Sequence, residues 1–122
     1  LDPTSNIDPA GWLISREASR GKTVKAEEAD IIKASIANAA KIFKEDPRMI
    51  ANRAVQLEVM LDPTDDRETA VWLVEVLADV VREPGRVEGF GAIGQQYFNL
   101  RKAGLSERDA LDDLSRRYRS RG

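Results

Sequence analysis

Apolar residues in this 122-residue chain recur at helical rather than alternating spacing, which constrains its fold more than any other feature. Ile32, Ile36, Ala39, Ala40 and Phe43 follow one another at steps of four, three, one and three. That spacing gathers them on one face of a helix and would scatter them over both faces of a strand. Ile31, Ile42 and the neighbouring alanines widen the stripe, so this helix is expected to touch neighbours on two sides. Ile50, Ala54, Leu57 and Leu61 form a second stripe, with Val55 and Val59 off it. Ala70, Val74, Leu77 and Val81 form a third, widened by Leu73 and Ala78. The β-branched run "VWLVEVLADVV" also suits a strand, but its apolar residues do not alternate, which favours helix.

Local signals punctuate these stripes. Asp-Pro occurs at residues 2–3, 8–9, 46–47 and 62–63. Asp accepts hydrogen bonds from free amides at a helix start, and Pro in the first turn gives up only an amide that had no partner. These steps therefore mark helix starts. Helices are expected over about 9–19, 24–44, 47–61, 66–82 and 92–102, and from Ser106 onward. Gly104 is placed as a left-handed cap, and Ser106 with Asp109 resembles a capping box ahead of Leu111, Leu114 and Tyr118. The class is all-α, an antiparallel helical bundle with short loops. One domain is expected: a short N-terminal helix within 1–22, a bundle core over 23–104, and a terminal helix with a basic tail over 105–122.

A composition of 42% apolar and 33% charged residues fits a folded chain with a heavily solvated surface. The chain contains no cysteine and no histidine. Disulfides, thiolate or imidazole metal sites and Ser-His or Cys-His nucleophile pairs are thereby excluded. No apolar run is long enough to span a membrane, and residues 1–13 lack a basic segment followed by an apolar one. The first residue is Leu rather than Met, and the expectation is a piece excised from a longer polypeptide. Residues 1–100 carry 12 basic and 17 acidic groups, whereas residues 101–122 carry 7 basic and 4 acidic.

Four constellations are candidates for function. Gly89, Gly91 and Gly94 have the Gly-x-Gly-x-x-Gly spacing of a dinucleotide-binding turn, which needs a strand before it and a ribose-binding acid about 20 residues later. The segment before them reads as helix, so the glycines are expected to permit a sharp turn or close packing, and no cofactor is implied. The carboxylates of "DPTDD" and "LDD" lie at a helix start and on a solvated helical face, where negative charge has an ordinary role. Trp12, Trp72, Phe90, Tyr97 and Phe98 are expected in the core or an interface, with Trp72 at its centre, because a stacking platform for nucleic acid needs interleaved basic residues. Arg108, Arg116, Arg117, Arg119 and Arg121 make the C-terminal end basic. Such a run suits either an ordinary helix terminus or recognition by an acidic surface, nucleic acid or lipid headgroups.

Taken together, "ADIIKASIANAAKIFKEDP", "VREPGRVEGFGAIG" and an arginine-rich last helix resemble the BID domain. This delivery domain is carried by type IV secretion effectors and some conjugative relaxases. The similarity lies in Phe43, Asp46 and Pro47 ending a long helix, in Asp62-Pro63, and in Pro84, Phe90, Gly91, Ile93 and Gly94, and covers residues 30–121. It implies an elongated antiparallel bundle without enzymatic activity that serves as a translocation signal. The implied partner is the coupling ATPase of the secretion channel, and the implied route runs from a bacterial cytoplasm into a recipient or host cell. Pro84, Phe90, Gly91 and Gly94 would then form a structural loop and helix start, and the five arginines would contact the partner. BID domains are usually basic throughout, whereas this body is acidic, so the arginine tail would carry the electrostatic docking. The alternatives are a nucleic-acid accessory module of a relaxase and a general helical protein-interaction domain.

Overall fold

Asp8 and Asp46 begin helices as their Asp-Pro steps anticipate. Asp8 accepts the amide of Gly11 at 3.1 Å, and Asp46 accepts that of Arg48 at 2.8 Å. The structure, a computed structural model, describes residues 8–19, 21, 24–61, 68–82 and 89–119. Six helices make up the fold: α1 (Pro9–Ser19), α2 (Ala26–Phe43), α3 (Pro47–Met60), α4 (Ala70–Val81), α5 (Phe90–Lys102) and α6 (Glu107–Arg119). No strand occurs among the described residues, and the all-α helical bundle read from the sequence is the observed class. The Asp-Pro steps at Asp2 and Asp62 lie outside the described residues, as does Pro84.

Three starts differ from expectation, and neighbouring groups account for two of them. α4 begins at Ala70 because Thr69 caps it, taking the Trp72 amide at 3.2 Å. α5 begins at Phe90, two residues early, because a carboxylate from another part of the chain takes the Phe90 amide. α2 begins at Ala26 after Lys25, with no side-chain cap. Gly104 closes α5 in the left-handed conformation (φ 104°), as anticipated. The amides of Leu105 and Gly104 then satisfy the carbonyls of Leu100 and Arg101. Ser106 accepts the Asp109 amide at 3.1 Å and starts α6.

α4 is the hub. It packs against α2, α3, α5 and α6, and Leu73, Val74, Leu77, Ala78, Val80 and Val81 are all buried. A helix apolar over most of its circumference is stable only when covered on most sides, which is why the β-branched run reads as helix here. One cluster unites buried residues from all six helices, from Ala10 and Leu13 in α1 to Ala110 and Leu114 in α6. Two packing expectations are corrected. Ile31 is 56% exposed, so the widening of the α2 stripe stops at Ile42. The largest fully buried aromatics are Tyr97, Phe43 and Phe90, the last two edge-to-face at 5.5 Å. Trp72 sits at the margin, its ring edge-on to Tyr97 at 6.3 Å.

A buried ionic group fastens α5 to the start of α4. Glu68 is 1% exposed. It receives Arg101 Nε and Nη2, each at 3.1 Å, and the Tyr97 hydroxyl at 2.6 Å. Arg101 Nη1 donates in turn to the Leu105 carbonyl at 2.7 Å. The hydrogen bond to Glu68 raises the Arg101 pKa. Burial, followed by the bond to Glu68, pushes the Tyr97 phenol well above its ordinary range.

Arg101→Met is expected to cost about 3–5 kcal/mol in denaturant unfolding, because it leaves Glu68 buried without its counter-ion. The triple variant Glu68→Leu/Arg101→Met/Tyr97→Phe should recover most of that loss. The raised Tyr97 pKa also sets an alkaline limit. The unfolded phenol ionises near pH 10 (about the free value) while the native one stays protonated, so stability is intact below that range and falls as pH rises above it. Melting temperatures measured across that range should fall in the wild type and fall less steeply in Tyr97→Phe.

Candidate functional site

α3 is flanked by α1, α2, α4 and α5, yet one of its faces stays open. Met49, Asn52, Arg53, Gln56 and Met60 follow one another along it at helical spacing and floor a groove of about 720 Å³. Trp12 of α1 forms one wall, and Gly91, Gly94 and Gln95 of α5 form the other. Met49 is 40% exposed and Met60 47%, so the floor offers flexible apolar side chains to solvent. Among the described residues lining the groove, Arg53 is the one ionisable group.

Carboxylates hold both walls, one buried and one half-buried. Glu58 of α3 receives Arg16 Nη2 at 2.7 Å and the Ala70 amide at 3.2 Å, joining α1, α3 and the first turn of α4. Arg16 also lies over the Trp12 ring, 5.9 Å from its centroid, which steadies that wall. On the other side Glu45, between α2 and α3, takes the Phe90 amide at 2.5 Å and caps α5. Arg53 Nε stands 3.7 Å from the same carboxylate.

The Gly-x-Gly-x-x-Gly spacing is explained by this wall. A Cβ on Gly89 would lie 2.8 Å from Glu45 Oε1, one on Gly91 2.2 Å from Arg53 Nη1, and one on Gly94 3.3 Å from Leu57 Cδ2. All three glycines therefore give room to side chains of α3 or of the turn before it. The helix N-terminus, where a dinucleotide site would place its pyrophosphate, already holds the chain's own carboxylate. Phe90, Gly91 and Gly94 belong to α5 itself rather than to a loop.

The tail arginines are arranged differently. Arg116 pairs with Asp112 at 3.1 Å and Arg117 with Asp113 at 2.9 Å, each one turn back along α6. Arg117 also donates to Gln96 at 3.4 Å, beside the bond between Gln96 and the Tyr118 hydroxyl. Two of the five arginines are thus paired with the acids of "LDD". Arg108 is exposed, Arg119 ends α6, and Arg121 lies outside the described residues. Arg108, Arg116 and Arg117 do not line the groove.

A further hollow of about 510 Å³ lies between α1, α2 and α4, with Trp72 and Ile32 inside it and Glu17, Glu28 and Glu75 in its lining. Among the described residues no group of three or more His, Cys, Asp or Glu side chains could hold a metal ion. No helix among them is long and apolar enough to cross a membrane.

The family model MoxZ matches residues 10–119, a stretch that contains the groove, both its walls and α6. The chain belongs to the MoxZ family. No curated protein and no solved structure gave a match. The MoxZ stretch thus coincides with the described bundle, from the first turn of α1 to the last residue of α6.

Sequence reasoning missed Arg53 and the glutamates Glu45, Glu58 and Glu68. For Glu58 a signal exists: it stands four residues after Ala54 and three before Leu61, on the apolar stripe itself, where a charge implies a buried partner. Glu45 and Glu68 precede helices and carry no periodic signal.

The three glycines should differ in tolerance. Gly89→Ala is expected to cost about 1–2 kcal/mol, because Glu45 must withdraw from the Phe90 amide. Glu45→Gln should show a loss of similar order. Gly91→Ala displaces only the tip of Arg53 while gaining helix propensity of about 0.8–1 kcal/mol, so its net effect should stay within about 1 kcal/mol. Denaturant unfolding of the three variants checks this order.

Proposed function

We propose that this domain is a non-enzymatic docking module whose α1/α3/α5 groove receives a helical segment of a partner protein. The observation that carries the reading is the open face of α3. Met49 and Met60 lie three turns apart, about 16 Å at the helical rise, and the amides of Asn52 and Gln56 lie between them. Anchors separated by whole turns are how a groove reads an amphipathic helix, and methionine adapts to such a surface. Catalysis by proton transfer or nucleophilic attack needs a converging set of reactive groups. A lining with Arg53 as its one ionisable side chain offers no such set.

The resemblance to BID domains makes the coupling ATPase of a type IV secretion channel the partner to test first. Pairing of Arg116 and Arg117 within α6 reduces the charge that the tail can offer, and it moves the proposed recognition from the tail toward the groove. The same pairing disfavours a phosphate-binding role, which draws on unpaired cations.

A reporter recombinase fused ahead of this domain, in a donor cell with the cognate secretion system, tests the assignment. Coupling-dependent recombination in recipients should fall at least tenfold in Met49→Asp/Met60→Asp and persist in a chain truncated after residue 115. Loss on truncation alone would return recognition to the tail. Absence of transfer from a folded fusion would remove the secretion reading and leave the docking module to be tested by direct binding.

A further inference from the structure

We infer that the groove selects a partner helix that presents a carboxylate to Arg53. The inference rests on the docking reading and specifies the chemistry of its occupant. Arg53 lies between the two methionines, one turn from Met49 and two from Met60, in a lining otherwise apolar or amide. Its guanidinium extends along the first turn of α5 into space that a Cβ on Gly91 would fill, where Nη1 would be only 2.2 Å away. The glycine thus lets the cation lie against the wall.

Arg53 has only a long ion pair where it stands. Among the described residues its acid neighbour is Glu45, 3.7 Å from Nε and beyond hydrogen-bonding reach. Glu45 directs its other oxygen, Oε1, to the Phe90 amide at 2.5 Å. The Arg53 side chain remains 39% exposed. A partner that covers the groove withdraws this cation from water, which is unfavourable unless a group on the partner replaces the lost solvation. A carboxylate does so with two parallel hydrogen bonds to the guanidinium fork. A basic residue at the same place meets like charge in a desolvated setting and is rejected. The hollow lined by Glu17, Glu28 and Glu75 has the opposite polarity, so an acidic ligand that suits Arg53 is disfavoured there.

The test is selection from a displayed library of helical peptides with two apolar anchors three turns apart and randomised positions between them. The bait is the full 122-residue chain, and bound peptides are checked by Trp12 fluorescence with Trp72→Phe as background. Wild type should enrich Asp or Glu about one turn from one anchor. Arg53→Gln should lose that preference and bind the selected peptides about tenfold more weakly, equivalent to about 1.4 kcal/mol. Arg53→Glu, provided circular dichroism shows it folded, should enrich Lys or Arg instead. Peptides that bind wild type, fail on Met49→Asp/Met60→Asp and show no acidic preference would overturn the role of Arg53 and leave the docking groove standing. Failure to recover any peptide sensitive to the two Met→Asp changes would overturn both.

Discussion

Glu68 is the group on which the arrangement of α4, α5 and α6 turns. A carboxylate withdrawn this far from water is unfavourable unless its charge and its lone pairs are both met. The two-pronged bond from Arg101 and the Tyr97 hydroxyl meet them. The geometry is demanding: Tyr97 and Arg101 must stand one turn apart on α5, and Glu68 must stop just short of the first turn of α4. Arg101 also reaches the Leu105 carbonyl, so the same guanidinium fixes the turn that sets the direction of α6. An apolar contact would tolerate sliding of α5 along α4, whereas this hydrogen-bond set is satisfied in one register.

Glu45 and Glu58 extend the same logic to the other helices. Each belongs to one part of the bundle and takes the first amide of a helix elsewhere, Glu45 for α5 and Glu58 for α4. A helix N-terminus carries unsatisfied amides and a partial positive charge, so a carboxylate from a neighbour satisfies the backbone and fixes the relative position of two elements together. The glycine-marked turn is part of this device. Only its first glycine shares the logic of a phosphate-binding fingerprint, by admitting an anion, here Glu45, to a helix start; Gly91 and Gly94 make room for Arg53 and Leu57.

The helices and most of the core were legible in the sequence because they depend on local periodicity and on caps within a few residues. Ile32, Ile36, Leu57, Val74 and Leu77 fell where the stripes put them. The groove was not legible, because it arises from how α1 and α5 stand apart over α3, and nothing local encodes that separation. Trp72 was misplaced for a related reason: large aromatics favour burial in general, but the centre went to Tyr97, whose hydroxyl had Glu68 to bond. The tail was read as a basic run because composition counts charges without pairing them, and Asp112 and Asp113 lie just one turn before Arg116 and Arg117.

These pairings change where recognition can reside. Ion pairs at i and i+4 on an exposed helix are weak, and a strong competitor could break them. They nonetheless reduce the attraction that a distant acidic surface would feel, since each of these two arginines carries its counter-charge with it. Arg53 is held differently: its ion pair with Glu45 is long, at 3.7 Å, and its position between apolar anchors means that an occupant of the groove would desolvate it. A single cation so placed discriminates between partners more sharply than several on an open helix end, because the penalty for a mismatched partner is incurred in a space from which water has been removed.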